Sequence, residues 1–177
     1  MRQCKMCDFK TSRLQDFKTS RLQDFKDIKN IVEVYNEAIY GTCQADYDET
    51  VLESWSDEII ANIEKIIKRV KASEQEIFIC KENKTVLGFS SVFLCNNLIE
   101  HVYVRPAYNR KGIGAKLLSA LENRALELGL SYLRVHSSIT GKSFYQKNGY
   151  SVLTEKMLSL PDGVKMKCVL LKKKLLA

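Results

Sequence analysis

The chain has 177 residues, 45% of them apolar and 28% charged, enough to bury one sizeable core in the manner of a soluble globular domain. No apolar run approaches the roughly 18 residues that span a bilayer, and the first ten residues hold no hydrophobic export segment, so no membrane association and a cytoplasmic location are expected. The formal charge of +7 suits an anionic ligand without choosing one.

Read in order, the chain opens on a tandem repeat: Asp8-Phe9-Lys10-Thr11-Ser12-Arg13-Leu14-Gln15 recurs as residues 16–23 and is followed by Asp24-Phe25-Lys26. Two copies of so short a period make no solenoid. Either copy offers a sheet the same side chains. The second lies nearer the first helix and is expected to supply the first strand, leaving 1–15 as a loosely ordered extension of a domain over 16–177. A helix is expected from the cap Asp24, through Ile28, Ile31, Val32, Tyr35 and Ile39, to a stop at Gly41. A polar loop over 42–48 holds Tyr47. Thr50-Val51-Leu52-Glu53 then forms a capping box for a second helix with Leu52, Trp55, Ile59, Ile63, Ile66 and Val70 inward, and Ser56 is a candidate cap for a break in it.

Strands over 76–80 and 86–95 flank the turn Lys81-Glu82-Asn83-Lys84, and Asn96-Asn97 leads into a third over 98–104, which predicts an antiparallel meander. A helix over 112–128 follows, with Ile113, Leu117, Leu121 and Leu128 inward. Beyond it come a strand over 131–136, a short helix over 140–147 stopped by Asn148-Gly149, and a strand pair over 150–158 and 164–172 around Pro161-Asp162-Gly163. The order is that of an α/β fold with a mixed, mostly antiparallel sheet flanked by helices. The last pair, with Val169-Leu170-Leu171, serves either a homodimer interface or the core.

Six cysteines, at 4, 7, 43, 80, 95 and 168, read as free thiols in a chain large enough to fold without staples. Cys4-Lys5-Met6-Cys7 has the spacing of half a zinc site, but the other cysteines are scattered and His101 and His136 fall in strands, so no metal is expected. Lys165, Lys167 and Lys172-Lys173-Lys174 carry no interleaved aromatics, and nucleic acid is not an expected partner.

The chemistry concentrates in Arg105-Pro106-Ala107-Tyr108-Asn109-Arg110-Lys111-Gly112-Ile113-Gly114-Ala115, between a strand and a helix. Such a turn aims several backbone N–H groups and the positive end of the helix dipole at one spot, which suits a phosphate. Gly112 and Gly114 let the main chain approach an anion, and Arg110 and Lys111 add countercharge. Position 117 is Leu, so the dinucleotide fingerprint Gly-x-Gly-x-x-Gly is absent, as is a P-loop. The segment resembles the acyl-CoA signature of the GNAT superfamily of N-acyltransferases, Arg/Gln-x-x-Gly-x-Gly/Ala after a Val-x-Pro turn. Val104-Arg105-Pro106 supplies the turn, and Asn109-x-x-Gly112-x-Gly114 the signature, with Asn where the family carries Arg or Gln. Phe17-Lys18-Thr19-Ser20, Asp46-Tyr47 with Trp55, and Ser138-x-x-x-x-Ser143-Phe144-Tyr145-x-Lys147-x-Gly149-Tyr150 extend the resemblance to a bacterial branch of acetyltransferases.

The resemblance implies a GNAT-like acyl-CoA N-acyltransferase fold whose strands ending at Val104 and His136 splay apart. It implies acetyl-CoA as co-substrate, held by Val102, Tyr103, Val104, Asn109, Arg110, Lys111, Gly112, Ile113, Gly114, Ala115, Ser138 and Tyr145. It also implies direct transfer of acetyl to a primary amine, expected to be a small molecule. Tyr145 stands at the family's position for the acid. For the base, Glu100 is favoured, His101 is the alternative and water the third choice; as neighbours in a strand, Glu100 and His101 are expected on opposite faces, Glu100 with Leu98, Val102 and Val104. Asp46, Asp48 and Glu49 offer an attraction for a cationic amine. A CoA-binding sensor without turnover and a protein or peptide N-terminal acetyltransferase stay open as other readings.

Overall fold

Strand β1 (Lys18–Arg21) comes from the second repeat copy and pairs antiparallel with β2 (Gln75–Glu82), Lys18 opposite Lys81 and Arg21 opposite Phe78. The structure, a computed structural model, describes residues 18–22 and 25–175. The extension 1–15, Cys4, Cys7 and the expected cap Asp24 lie outside them. Strand β2 turns through Asn83-Lys84, with Asn83 left-handed at φ 56°, into β3 (Thr85–Phe93); β4 (Leu98–Val104) completes the meander after Asn97, left-handed at φ 51°. Strand β5 (Tyr132–Ser138) lies parallel to β4, and β7 (Lys165–Lys174) enters between β5 and the edge strand β6 (Ser151–Ser159). The sheet has seven strands in the order β1-β2-β3-β4-β5-β7-β6, with β4–β5 its one parallel pair.

Helices α1 (Ile28–Thr42) and α2 (Glu49–Lys71) pack on one face of the meander, burying Tyr35, Ile39, Trp55 and Ile59 against Ile77, Ile79 and Phe89. On the other face α3 (Ile113–Glu127) buries Leu118 and Leu121 against Val92, Ile99, Leu133 and Val135, and Leu117 against Leu87. Helix α4 (Lys142–Lys147) follows β5, with Tyr145 inside the second cluster. In β7, Val169 and Leu171 belong to that same core.

Several local readings need correction. A 3-10 turn over Phe25–Asp27 precedes α1, and the Asp27 carboxylate, instead of capping, accepts from Lys81 Nζ at 2.7 Å. Helix α1 runs past Gly41, where a Cβ would lie 2.3 Å from Pro106 Cγ: this glycine serves a close approach and not a stop. The cap of helix α2 lies two residues before the expected Thr50, with Val51 N–H donating to Asp48 at 2.9 Å, and the helix continues unbroken through Ser56, whose Oγ donates to Asn36 at 2.9 Å. Leu128 follows the last turn of α3 at 42% exposure, and Leu118 and Ala125 fill the core in its place.

Among the described residues, Cys43, Cys80 and Cys168 are buried free thiols and Cys95 an exposed one. No described helix is long and apolar enough to cross a membrane.

Candidate active site

Pairing between β4 and β5 is confined to Leu98 opposite Arg134 and Ile99 opposite Val135. Beyond Ile99 the strands part, and the edge of β4 that faced β5 has no strand partner up to Val104. A cavity of about 1210 Å³ fills the gap, reaching from the start of α3 to the flank of α2.

A β-bulge sets which side chains enter it. Val92 stands opposite Ile99 and Ser91 opposite His101, so Glu100 is an extra residue in β4. Ile99, Val102 and Val104 pack towards α3, yet both Glu100 and His101 turn to the face of α1 and α2. Glu100 accepts from Arg69 of α2 at 2.9 Å, and the His101 ring lies 5.8 Å from that of Tyr35 in α1. The expected alternation therefore fails at this position, and Glu100 shares no face with Val102 and Val104.

On the α3 side the loop is tied down before it turns. Arg105 points away from the cleft: its Nε donates to Val86 O at 2.8 Å and its guanidinium pairs with Glu33 and Glu37 of α1. Arg110 is left-handed at φ 61° and Gly112 at φ 80°. Helix α3 then begins with no side chain capping it, so the first-turn amides of Ile113, Gly114 and Ala115 keep their donors for another acceptor. A Cβ at Gly112 would meet nothing within 4 Å, which leaves positive φ as the reason for glycine; at Gly114 it would meet the Phe144 ring at 3.2 Å. Val102, Tyr103, Val104, Asn109, Arg110, Gly112, Ile113, Gly114, Ala115, Ser138 and Tyr145 all line the cavity. Lys111 does not; its ammonium sits 4.6 Å above the Tyr108 ring. Ser138 Oγ accepts from Gly141 N–H at 3.0 Å and fixes the entry to α4.

Tyr145 is 6% exposed, stacked edge-on between Phe144 and Tyr150, and burial pushes its hydroxyl well above the ordinary tyrosine range. His101 and Ser91 bond at 2.7 Å through Nδ1 and Oγ, while burial and then Arg69 pull the imidazole down to about 4. The Glu100 carboxyl is raised by burial against the opposing pull of Arg69.

Sequence reasoning missed Glu58. This α2 residue lines the cavity beside Tyr35 and Tyr103, and burial raises its carboxyl, helped by the Glu100 charge. The signal was there: Glu58, Asn62, Lys65 and Arg69 recur at helical spacing beside the apolar stripe, and all four line the cavity. The acids expected to draw an amine do not line the cavity, and two of the three are engaged elsewhere. Asp46 accepts from Thr140 at 2.6 Å, Asp48 caps α2, and Glu49 sits exposed in the first turn of α2. Tyr47 Oη accepts from Ile139 N–H and donates to Lys167 O, both at 2.7 Å, locking the 42–48 loop to the splayed end of β5.

The architecture is that of known acetyltransferases. A GCN5-related N-acetyltransferase from Rhodopseudomonas palustris superposes with a TM-score of 0.79 at 23% identity, over 90% of this chain and 96% of its own. The PaiA N-acetyltransferase of Thermoplasma acidophilum, solved with coenzyme A, gives 0.72 at 23% identity over 89% and 98%. In sequence, the chain is 29% identical over 135 residues to a spermidine N(1)-acetyltransferase of Thermoplasma acidophilum, covering 71% of this chain and 83% of that protein. It is 23% identical over 129 residues to the uncharacterised N-acetyltransferase YafP of Escherichia coli, covering 73% and 78%. The family model of the acetyltransferase (GNAT) domain matches residues 43–166, from the end of α1 into β7, and with the splayed strands and uncapped α3 it decides the assignment: this chain belongs to the GNAT acetyltransferases.

Proposed function

We propose that the chain transfers acetyl from acetyl-CoA, the co-substrate of its family, to the primary amine of a small molecule, both substrates being held at once in the cleft. The observation that carries the reading is the β4–β5 splay, which joins an anion cradle on the α3 side to the half-buried carboxyls of Glu58 and Glu100 on the α2 side through one opening. The residues fit a CoA: free first-turn amides at Ile113, Gly114 and Ala115, the Arg110 cation, and an unpaired β4 edge beside them. Asn109 stands where the resembled signature has Arg or Gln, and Arg110, which also lines the cavity, offers a cation from the next position. The name of the spermidine acetyltransferase supports an amine as acceptor.

Bound acetyl-CoA supplies an acetyl group activated as a thioester. The protein's own tasks are to remove a proton from an ammonium and to return one to the departing thiolate. Tyr145 is suited to the second, because desolvation keeps its hydroxyl protonated at every working pH. For the first, His101 is the weaker candidate, since a pKa of about 4 makes its cation costly. Among the carboxyls, Glu100 is held by Arg69, whereas Glu58 has no ion-pair partner among the described residues and carries a raised pKa. Glu58 is therefore assigned the proton, with Glu100 setting the field around it.

The pH–rate profile tests these roles. Activity of the wild type should fall on the acidic side as Glu58 protonates, and Glu58→Gln should lower kcat and remove that limb. Tyr145→Phe should lower kcat by about 100-fold or more while the thermal shift with CoA survives. Unchanged turnover in Tyr145→Phe would contradict the assignment.

A further inference from the structure

The β4 bulge lines up three polar side chains across three neighbouring strands, on the face that α1 and α2 cover. Gln75 of β2 and Ser91 of β3 have no solvent exposure, and Gln75 Nε2 donates to Ser91 Oγ at 3.3 Å. Ser91 stands opposite His101 of β4, whose Nδ1 lies 2.7 Å from the same oxygen. Counting hydrogens gives the direction of the chain. The Ser91 hydroxyl has one proton, and among the described residues Nδ1 is the acceptor within its reach. The reverse direction, from His101 through Ser91 to Gln75, needs the amide turned over, which would put its N–H groups where Oε1 now lies buried without a partner. Buried N–H groups without an acceptor are rarer than under-satisfied oxygens. Nδ1 therefore accepts, and Nε2 carries the ring proton. The ring is wedged among Tyr35, Phe89 and Tyr103, at centroid distances of 5.8, 5.7 and 5.9 Å, and burial beside Arg69 keeps it uncharged. Nε2 has no hydrogen-bond partner among the described residues and is not sealed from solvent, so it opens on the cavity that the ring lines.

We infer that His101 is a specificity-determining residue for the acceptor: locked as the neutral Nε2–H tautomer, it donates to an oxygen of the amine substrate, so the preferred acceptors are amines bearing an ether, hydroxyl or carbonyl oxygen. This rests on the acetyltransferase reading of the same cleft. A fixed donor with no protein partner is satisfied by a ligand oxygen, whereas an all-carbon chain at the same place leaves it unpaired. The lock also removes the ring from the choice of base, since Nδ1 is spent on Ser91 and Nε2 already holds a proton.

Two readouts test the inference. Long-range proton–nitrogen correlation spectra of the whole protein at pH 7 should show the His101 ring with a protonated Nε2 and a bare Nδ1; the chain has two histidines, and His101→Gln assigns the signals by their loss. An Nδ1–H ring or an exchanging mixture overturns the inference whatever the activity. With acetyl-CoA, kcat/KM is then compared for methoxyethylamine against n-butylamine and for methoxypropylamine against n-pentylamine, pairs in which an oxygen replaces a methylene. At least one ether should be preferred by roughly fivefold or more, and His101→Phe should bring that ratio towards one. No preference for either ether, or a preference unmoved by His101→Phe, overturns the inference and leaves the acetyltransferase reading standing. Acetylation of none of the four amines overturns both.

Discussion

His101 shows how a single bulged residue couples stability to the site. The extra residue in β4 turns its ring inward, against Tyr35 and Phe89 and onto Ser91, where an imidazolium would be desolvated and would face Arg69. Its pKa is about 4 in the folded protein, below the ordinary 6.5 of the unfolded chain, so the unfolded state takes up the proton first. The resulting stability is complete above pH 6.5 and declines as the pH falls towards 4. At roughly 1.36 kcal/mol per unit, about 2 kcal/mol is lost by pH 5, somewhat less where cleft water reaches the ring. Thermal unfolding at pH 7 and pH 5 should show a larger drop in the wild type than in His101→Gln. Equal drops in the two would mean that the ring is not shielded as described.

At the scale of elements, the contact between α1 and the cradle loop is the sensitive one. Gly41 in α1 lies directly under Pro106, and Arg105 next to it bonds back to Glu33, Glu37 and Val86. Alanine in a helix interior ordinarily gains about 1 kcal/mol over glycine. Here its Cβ would sit 2.3 Å from Pro106 Cγ, and overpacking typically costs about 1–3 kcal/mol. Gly41→Ala should therefore lower the melting temperature by a few degrees and weaken CoA binding, because relief of the clash displaces the loop that leads to α3. A rise in melting temperature would show that the loop yields freely. The same elements mark what was legible in the sequence. Gly112 and Gly114 marked the candidate cradle in the sequence because a turn and a helix start are local features, while Lys111, expected beside them, turns onto Tyr108 instead. The meander and the buried stripes of α1 to α3 were readable from periodicity, whereas the second repeat copy was expected as β1 because it lies nearer the helix. The bulge at Glu100 was not, since only the cross-strand register of Ser91 and Val92 creates it. Glu58 escaped because a polar stripe beside an apolar one ordinarily means a solvated flank, and only the β4–β5 splay turns that flank into a cavity wall. Gly41 was misread for the same kind of reason: its partner, Pro106, lies 65 positions away in the chain.

Across the whole molecule, the sheet holds two half-sites apart and in line. In the proposed function the α3 side holds the anionic carrier with backbone donors and a cation, the α1 and α2 side meets the amine with carboxyls in an aromatic setting, and the gap between β4 and β5 connects them. The Tyr47 bridges to Ile139 and Lys167 keep that gap framed from the helical side. Binding at the cradle to the native state alone must raise global stability by mass action, by about 2.7 kcal/mol at a hundredfold excess over Kd. For a domain of this size each kcal/mol moves the midpoint by roughly 2–4 °C. The most direct test is accordingly the melting temperature with saturating acetyl-CoA, CoA or ATP. An upward shift of several degrees with both CoA forms and none with ATP is predicted; no shift with either CoA form, in a sample that unfolds cooperatively, would contradict the site as described.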